Sequence, residues 1–132
     1  MPDSDRQRRR YERLDVHLPV RLSTIDAETD RWTGRPFFRS CREWSANVSR
    51  GGLFVRTHET IGPGRRVLVE VALPGGESIE AIGRVAWTRD RPRDDGTDSG
   101  IGLQFVGAGA DAISRLERFL RARGEPDERA SA

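Results

Sequence analysis

Apolar and polar residues alternate from Leu14 onward: Leu14, Val16, Leu18, Val20 and Leu22 fall on one face, and Asp15, His17, Pro19 and Arg21 on the other. A period of two over this length predicts a half-buried β-strand. Pro19, on the polar side, points to an edge position or a bulge, because proline has no N–H to give a ladder. Residues 24 to 36, with Asp26, Asp30, Gly34 and Pro36, read as a loop leading into a second strand around Phe37 to Ala46. A third strand covers Leu53 to Thr57, and Ile61-Gly-Pro-Gly64 punctuates it. Val67, Val69, Val71 and Leu73, the turn Pro74-Gly-Gly76, and then Ile79, Ala81, Gly83, Val85 and Trp87 predict a long antiparallel hairpin. A polar loop from Arg89 to Ser99 precedes the last strand, at Ile101, Leu103 and Phe105. From Ala110 the period becomes helical: Ile113, Leu116 and Phe119/Leu120 share a face, Asp111 sits in the first turn, Glu117 and Arg121 are spaced to pair, and Gly124 is placed to stop the helix.

Six short strands at hairpin spacing and one terminal helix predict a mainly β fold, a six-stranded antiparallel barrel closed so that few edges stay exposed, with a C-terminal α-helix. A flexible arm over residues 1–8, one domain over 9–123 and a disordered tail over 124–132 complete the expected organisation.

Composition narrows the function. The 132 residues suffice for a single modest core. No apolar run approaches the roughly 20 residues that span a bilayer, and the start, Met-Pro-Asp-Ser-Asp, lacks the apolar stretch of a signal peptide, so a cytoplasmic location is expected. Cys41 is the only cysteine and His17 and His58 lie far apart, which excludes an internal disulfide and predicts no metal site and no cofactor. Net charge is only +2, yet all 23 basic residues are arginine. With so many arginines, position within a motif must carry any functional weight.

One stretch stands apart, Asn47-Val-Ser-Arg-Gly-Gly52, set between Trp44 and the apolar run Leu53-Phe-Val55. It reads as a polar turn: Asn47 and Ser49 can fold side-chain oxygens onto nearby backbone, and Gly51-Gly52 permits positive φ and close approach by a ligand. Far upstream lies Arg8-Arg-Arg-Tyr-Glu-Arg13, in which Arg9 and Arg13 are spaced R-x-x-x-R. The pair of motifs, R-x-x-x-R and then [D/N]-x-S-x-x-G, in this order and with a strand directly after Arg13, resembles the PilZ family of cyclic di-GMP receptors. The closing Gly100-Ile-Gly-Leu-Gln-Phe105 and short helix are similar to that family's end, so the resemblance covers roughly residues 6 to 122.

The resemblance implies a PilZ barrel and a cyclic di-GMP site formed by Arg9, Arg13, Asn47, Ser49 and Gly52, with Arg8 offering a further contact suited to a stacked pair of ligands. Arginine fits such a ligand because its planar fork bonds phosphate oxygens bidentately and matches the O6/N7 edge of guanine. By itself the arginine cluster reads as a solvated arm or a nonspecific nucleic-acid contact, and the turn by itself as a hairpin device. Ser49 is not placed as a nucleophile, since Val-Ser-Arg-Gly is no nucleophile elbow, and no enzymatic activity is expected. The expected function is therefore a receptor or adaptor that passes ligand binding through the arm to a partner protein in trans. Two other classes stay open: a PilZ interaction module that binds no nucleotide, and a single-strand nucleic-acid binder, which needs exposed aromatics on its strands. Trp44, Trp87 and Phe105 are expected in the core; Trp32, in a polar segment, reads equally as an exposed contact or a loop staple.

Overall fold

The computed structural model describes residues 15–89 and 99–131, with side chains in the helix as far as 123. Eight strands precede the helix: β1 (Pro19–Thr24), β2 (Glu28–Thr29), β3 (Pro36–Phe37), β4 (Ser40–Ser49), β5 (Gly52–Arg56), β6 (Arg66–Ala72), β7 (Ser78–Arg89) and β8 (Gly100–Ala108). Six of them close into an antiparallel barrel in the order β1-β4-β5-β8-β7-β6, and β2 pairs with β3 in a small separate sheet. The barrel with a C-terminal helix is the architecture the alternation predicts.

Period-two patterning explains the closure. Val20, Leu22, Val67, Val69, Val71 and Val85 point inward and are almost completely withdrawn from water, each such side chain being worth about 1.5–3 kcal/mol of burial. The β6–β7 hairpin turns through Gly75 and Gly76, both at positive φ, and Leu73 N–H closes it onto the Glu77 carbonyl at 2.7 Å. The helix packs against β7, with Leu116 buried and Phe119 and Leu120 partly so. Arg115 reaches across to the Ser78 carbonyl at 2.7 Å.

Several boundaries differ from the sequence expectation. The first strand opens at Pro19 rather than Leu14, so proline takes the first strand position, where its missing N–H costs no ladder bond, and marks neither an edge nor a bulge. Phe37 belongs to β3 and the second barrel strand runs Ser40–Ser49, which carries Asn47 and Ser49 inside a strand and leaves Arg50-Gly51 as the connecting turn. Gly52 is not left-handed; it is required because a Cβ there would lie 1.9 Å from the Leu103 carbonyl oxygen. The helix backbone continues from Ala110 to Ser131, through Gly124 and Pro126, where a stop and a disordered tail are expected. A glycine costs only about 1 kcal/mol in a helix, so Gly124 by itself does not end it. Glu117 meets Arg50 at 3.3 Å in addition to any partner on its own helix.

Trp44 and Trp87 are not core residues. Along β4 the inward positions are Cys41, Glu43 and Ser45, opposite Leu22, Val20 and Val55, which turns Trp44 outward at 56% exposure. On β7 the pairing passes from Val85↔Leu103 to Trp87↔Gly102, so Ala86 is an extra residue that inverts the alternation and leaves Trp87 43% exposed. Phe105, by contrast, packs against the core as expected.

Candidate functional site

A bulge in β4 sets up the site. Ser45 pairs with Val55 and Asn47 with Phe54, so Ala46 is the inserted residue and the facing of the strand flips after it. Without the insertion Asn47 and Ser49 would follow Ser45 into the barrel; with it, Val48 is fully buried and Asn47 and Ser49 stand on the outer face. Ser49 Oγ accepts a bond from Gly51 N–H at 3.2 Å and donates to the Gly52 carbonyl at 3.3 Å, holding the turn in shape. The half-buried Asn47 amide makes no hydrogen bond to any described residue, and so keeps a donor pair and an acceptor for something else.

Neighbouring strands extend this face. Phe54, opposite Asn47, stacks on Trp87 with ring centroids 5.1 Å apart and planes 10° from parallel. The Arg89 guanidinium lies 5.2 Å from the Phe54 centroid and 5.6 Å from that of Trp87. Gly100 and Gly102 on β8 make room for both rings, since a Cβ at either would come within 2.4 Å of one of them. Opposite Gly52, Gln104 accepts a bond from Arg84 at 3.3 Å. An uncharged donor–acceptor pair, an aromatic stack and two arginines therefore share one outer surface of β4, β5, β8 and β7. That combination suits a planar, anionic ligand, the rings offering a stacking face and the guanidiniums charge-assisted bonds.

Ser45, two residues before Asn47, does different work. Fully buried, it accepts Leu18 N–H on Oγ at 2.9 Å and donates from Oγ to the Val16 carbonyl at 2.6 Å. Its backbone N–H bonds the Leu18 carbonyl at 2.9 Å, and its carbonyl lies 3.2 Å from His17 Nδ1. Residues 16–18 are thus clamped to β4 just before the ligand-facing positions. Toward the other end of β4, burial, with Glu43 beside it, pushes the Cys41 thiol up to about 11, which keeps it protonated and unreactive.

The structure brings Asn47, Ser49 and Gly52 together, as the motif requires. Arg8, Arg9 and Arg13 lie outside the described residues, as do residues 90–98 of the loop before β8. Sequence reasoning missed Phe54, Trp87, Arg84 and Arg89. The usable signal was Gly100-x-Gly102, small residues at period two, which mark a strand face against which something lies flat. No group of three His, Cys, Asp or Glu side chains among the described residues is placed to hold a metal.

Comparison with known proteins places this geometry in context. The PilZ domain family model matches residues 7–122. No curated protein matches the chain. Among solved structures, the inhibitor of motility MotI/DgrA of Bacillus subtilis aligns with a TM-score of 0.67 at 20% identity over 89% of this chain, which spans only 51% of that protein. The PilZ domain with c-di-GMP of YcgR from Escherichia coli aligns at 0.62 and 17% identity, covering 95% of this chain and 98% of the other. The PilZ domain of CeSA from a cellulose-synthesizing bacterium aligns at 0.56 and 16%, covering 85% and 98%.

Proposed function

The chain belongs to the PilZ domain family, and from that premise we propose that it is a cyclic di-GMP receptor, not an enzyme, which converts binding into a rearrangement of its N-terminal arm. The observation that carries this is the β4 bulge, which turns Ser49 and an Asn47 amide that bonds no described residue outward beside the Phe54–Trp87 stack. A solved PilZ domain with c-di-GMP shares the fold, which supports the ligand class.

In this reading Asn47 bonds a guanine edge, Ser49 and the backbone around Gly52 approach a phosphate, and Trp87 offers its outer face to a base. Arg9 and Arg13 close over the ligand, with Arg8 as a further contact. The arm folds onto the barrel as it does so, hinged at the Ser45 clamp on residues 16–18. Ordering it costs about 1–2 kcal/mol of backbone entropy per residue, which the charge-assisted bonds offset in part, so affinity is moderate. The closed arm is the surface a partner protein reads.

Isothermal titration of the full chain with cyclic di-GMP tests the ligand. Saturable heat that disappears in Arg9→Ala and Arg13→Ala, with the melting temperature unchanged, is the expected result. Absence of heat from the folded protein at ligand concentrations of tens of micromolar rejects the receptor and leaves an interaction module.

A further inference from the structure

The β2–β3 excursion is built more firmly than a solvent loop needs to be. Asp30 Oδ1 accepts the N–H groups of Trp32 and Thr33, both at 2.8 Å, and the Asp30 carbonyl accepts Gly34 N–H at 2.9 Å. Gly34 takes the positive φ of 72° that this tight turn demands, and Asp30 N–H bonds the Arg35 carbonyl at 2.8 Å. At the base, Arg39 grips Glu28 with two bonds of 2.6 and 2.7 Å and reaches the Thr60 carbonyl at 2.8 Å. All this holds up an indole set out in solvent: Trp32 is 89% exposed, and Phe38, at the foot of the same hairpin, is 65% exposed.

Around the tip the carboxylates are engaged and two of the cations are not. Asp26 is taken by Arg66, Glu28 by Arg39 and Asp30 by the turn's own N–H groups. Arg31 and Arg35, on either side of Trp32, are exposed and make no side-chain bond or ion pair to any described residue. The tip is thus a hydrogen-bonded projection with an exposed aromatic apex and two cations uncommitted among the described residues, and its rings do not stack on one another. A protein partner would have to supply a matching pocket, whereas a lipid–water interface accepts an exposed aromatic apex without one. Tryptophan favours that interface, arginine reaches its phosphates, and both are held here on the same short turn.

We propose that the Asp30–Arg35 turn is a membrane-contacting tip, which seats Trp32 in the headgroup region of an anionic bilayer with Arg31 and Arg35 on lipid phosphates. It lies apart from the cyclic di-GMP surface and does not depend on that function. Co-sedimentation of the full chain with phosphatidylcholine vesicles, with and without phosphatidylglycerol, tests it. The chain should pellet with the anionic vesicles, release as salt is raised, and stay in solution with phosphatidylcholine alone. Trp32→Ala should weaken partition about tenfold, the worth of withdrawing a good part of an indole from water, and Arg31→Gln or Arg35→Gln about fivefold each. Brominated lipid should quench the fluorescence of the parent chain more than that of Trp32→Phe. An unchanged melting temperature for Trp32→Ala establishes that the variant is folded. No binding to anionic vesicles, or equal binding by parent and Trp32→Ala, overturns the proposal, and the tip would then belong in a protein pocket. Cyclic di-GMP titration of Trp32→Ala should match the parent whichever way the vesicle result falls, so the two functions fail separately.

Discussion

Ser45 and Asn47 are two positions apart on one strand and have opposite duties. Ser45 is fully buried with its oxygen both donating and accepting, so Ser45→Ala leaves the Leu18 N–H and Val16 carbonyl short of a partner and should cost about 1–3 kcal/mol in chemical denaturation. Asn47 faces outward without a bond to any described residue, so Asn47→Ala should stay within about 0.5 kcal/mol of the parent while losing cyclic di-GMP binding in calorimetry. Similar losses of stability for both would place Asn47 in the scaffold. Gly52→Ala is the harsher change, because the added methyl meets backbone on the Leu103 carbonyl and not a movable side chain. It should destabilise by about 1–3 kcal/mol and weaken ligand binding together with the melting temperature. The sequence motif marks Asn47, Ser49 and Gly52 alike; only the structure separates the two whose side chains stand on the outer face from the glycine that lets β5 lie close to β8.

Among the elements, strands were legible wherever alternation ran unbroken, as from Val67 to Leu73 and from Ile79 to Val85. It failed at the bulges. Ala46 and Ala86 each insert one residue, and a period of two cannot show where it has been reset, so Trp87 seemed to be in phase with a core it faces away from. β4 was hardest because its inward residues include Cys41, Glu43 and Ser45, a polar set that reads as an outer face. The β2–β3 hairpin was read as loop, since two-residue strands carry no period. Its stability should depend on pH. Bonds from Arg39 are the largest cause holding the Glu28 carboxyl below its ordinary value of 4.5, so the pair contributes fully above that value and is lost as pH falls through the lower folded value. The melting temperatures of the parent and Glu28→Gln should differ at neutral pH and converge as pH drops below 4.5. A gap that widens toward acid would contradict the assignment.

For the molecule as a whole, the proposed site would join the outer face of β4, β5, β8 and β7 to the segment that precedes the clamp on residues 16–18. Hydrogen exchange should therefore show protection gained over residues 6 to 13 when cyclic di-GMP binds, with Val48 and Val55 equally protected in both states. Equal exchange in the arm, with binding confirmed by titration, would rule out the arm as the switch. The order of the barrel also sets an order in time. β4 with β5 and β6 with β7 are neighbours along the chain, whereas β1 must enter between β4 and β6 and β5 must find β8, pairings that join distant stretches. Such topologies fold over milliseconds to seconds because the long loops close last. Pulse-labelled refolding should protect the β4–β5 and β6–β7 hairpins before Leu22 of β1, so Asn47 and Ser49 stand on a paired strand while the segment that Ser45 will hold is still unattached. A ligand that needed both the β4 face and the segment before β1 would then be recognised late in folding, only when the first strand has been threaded into place.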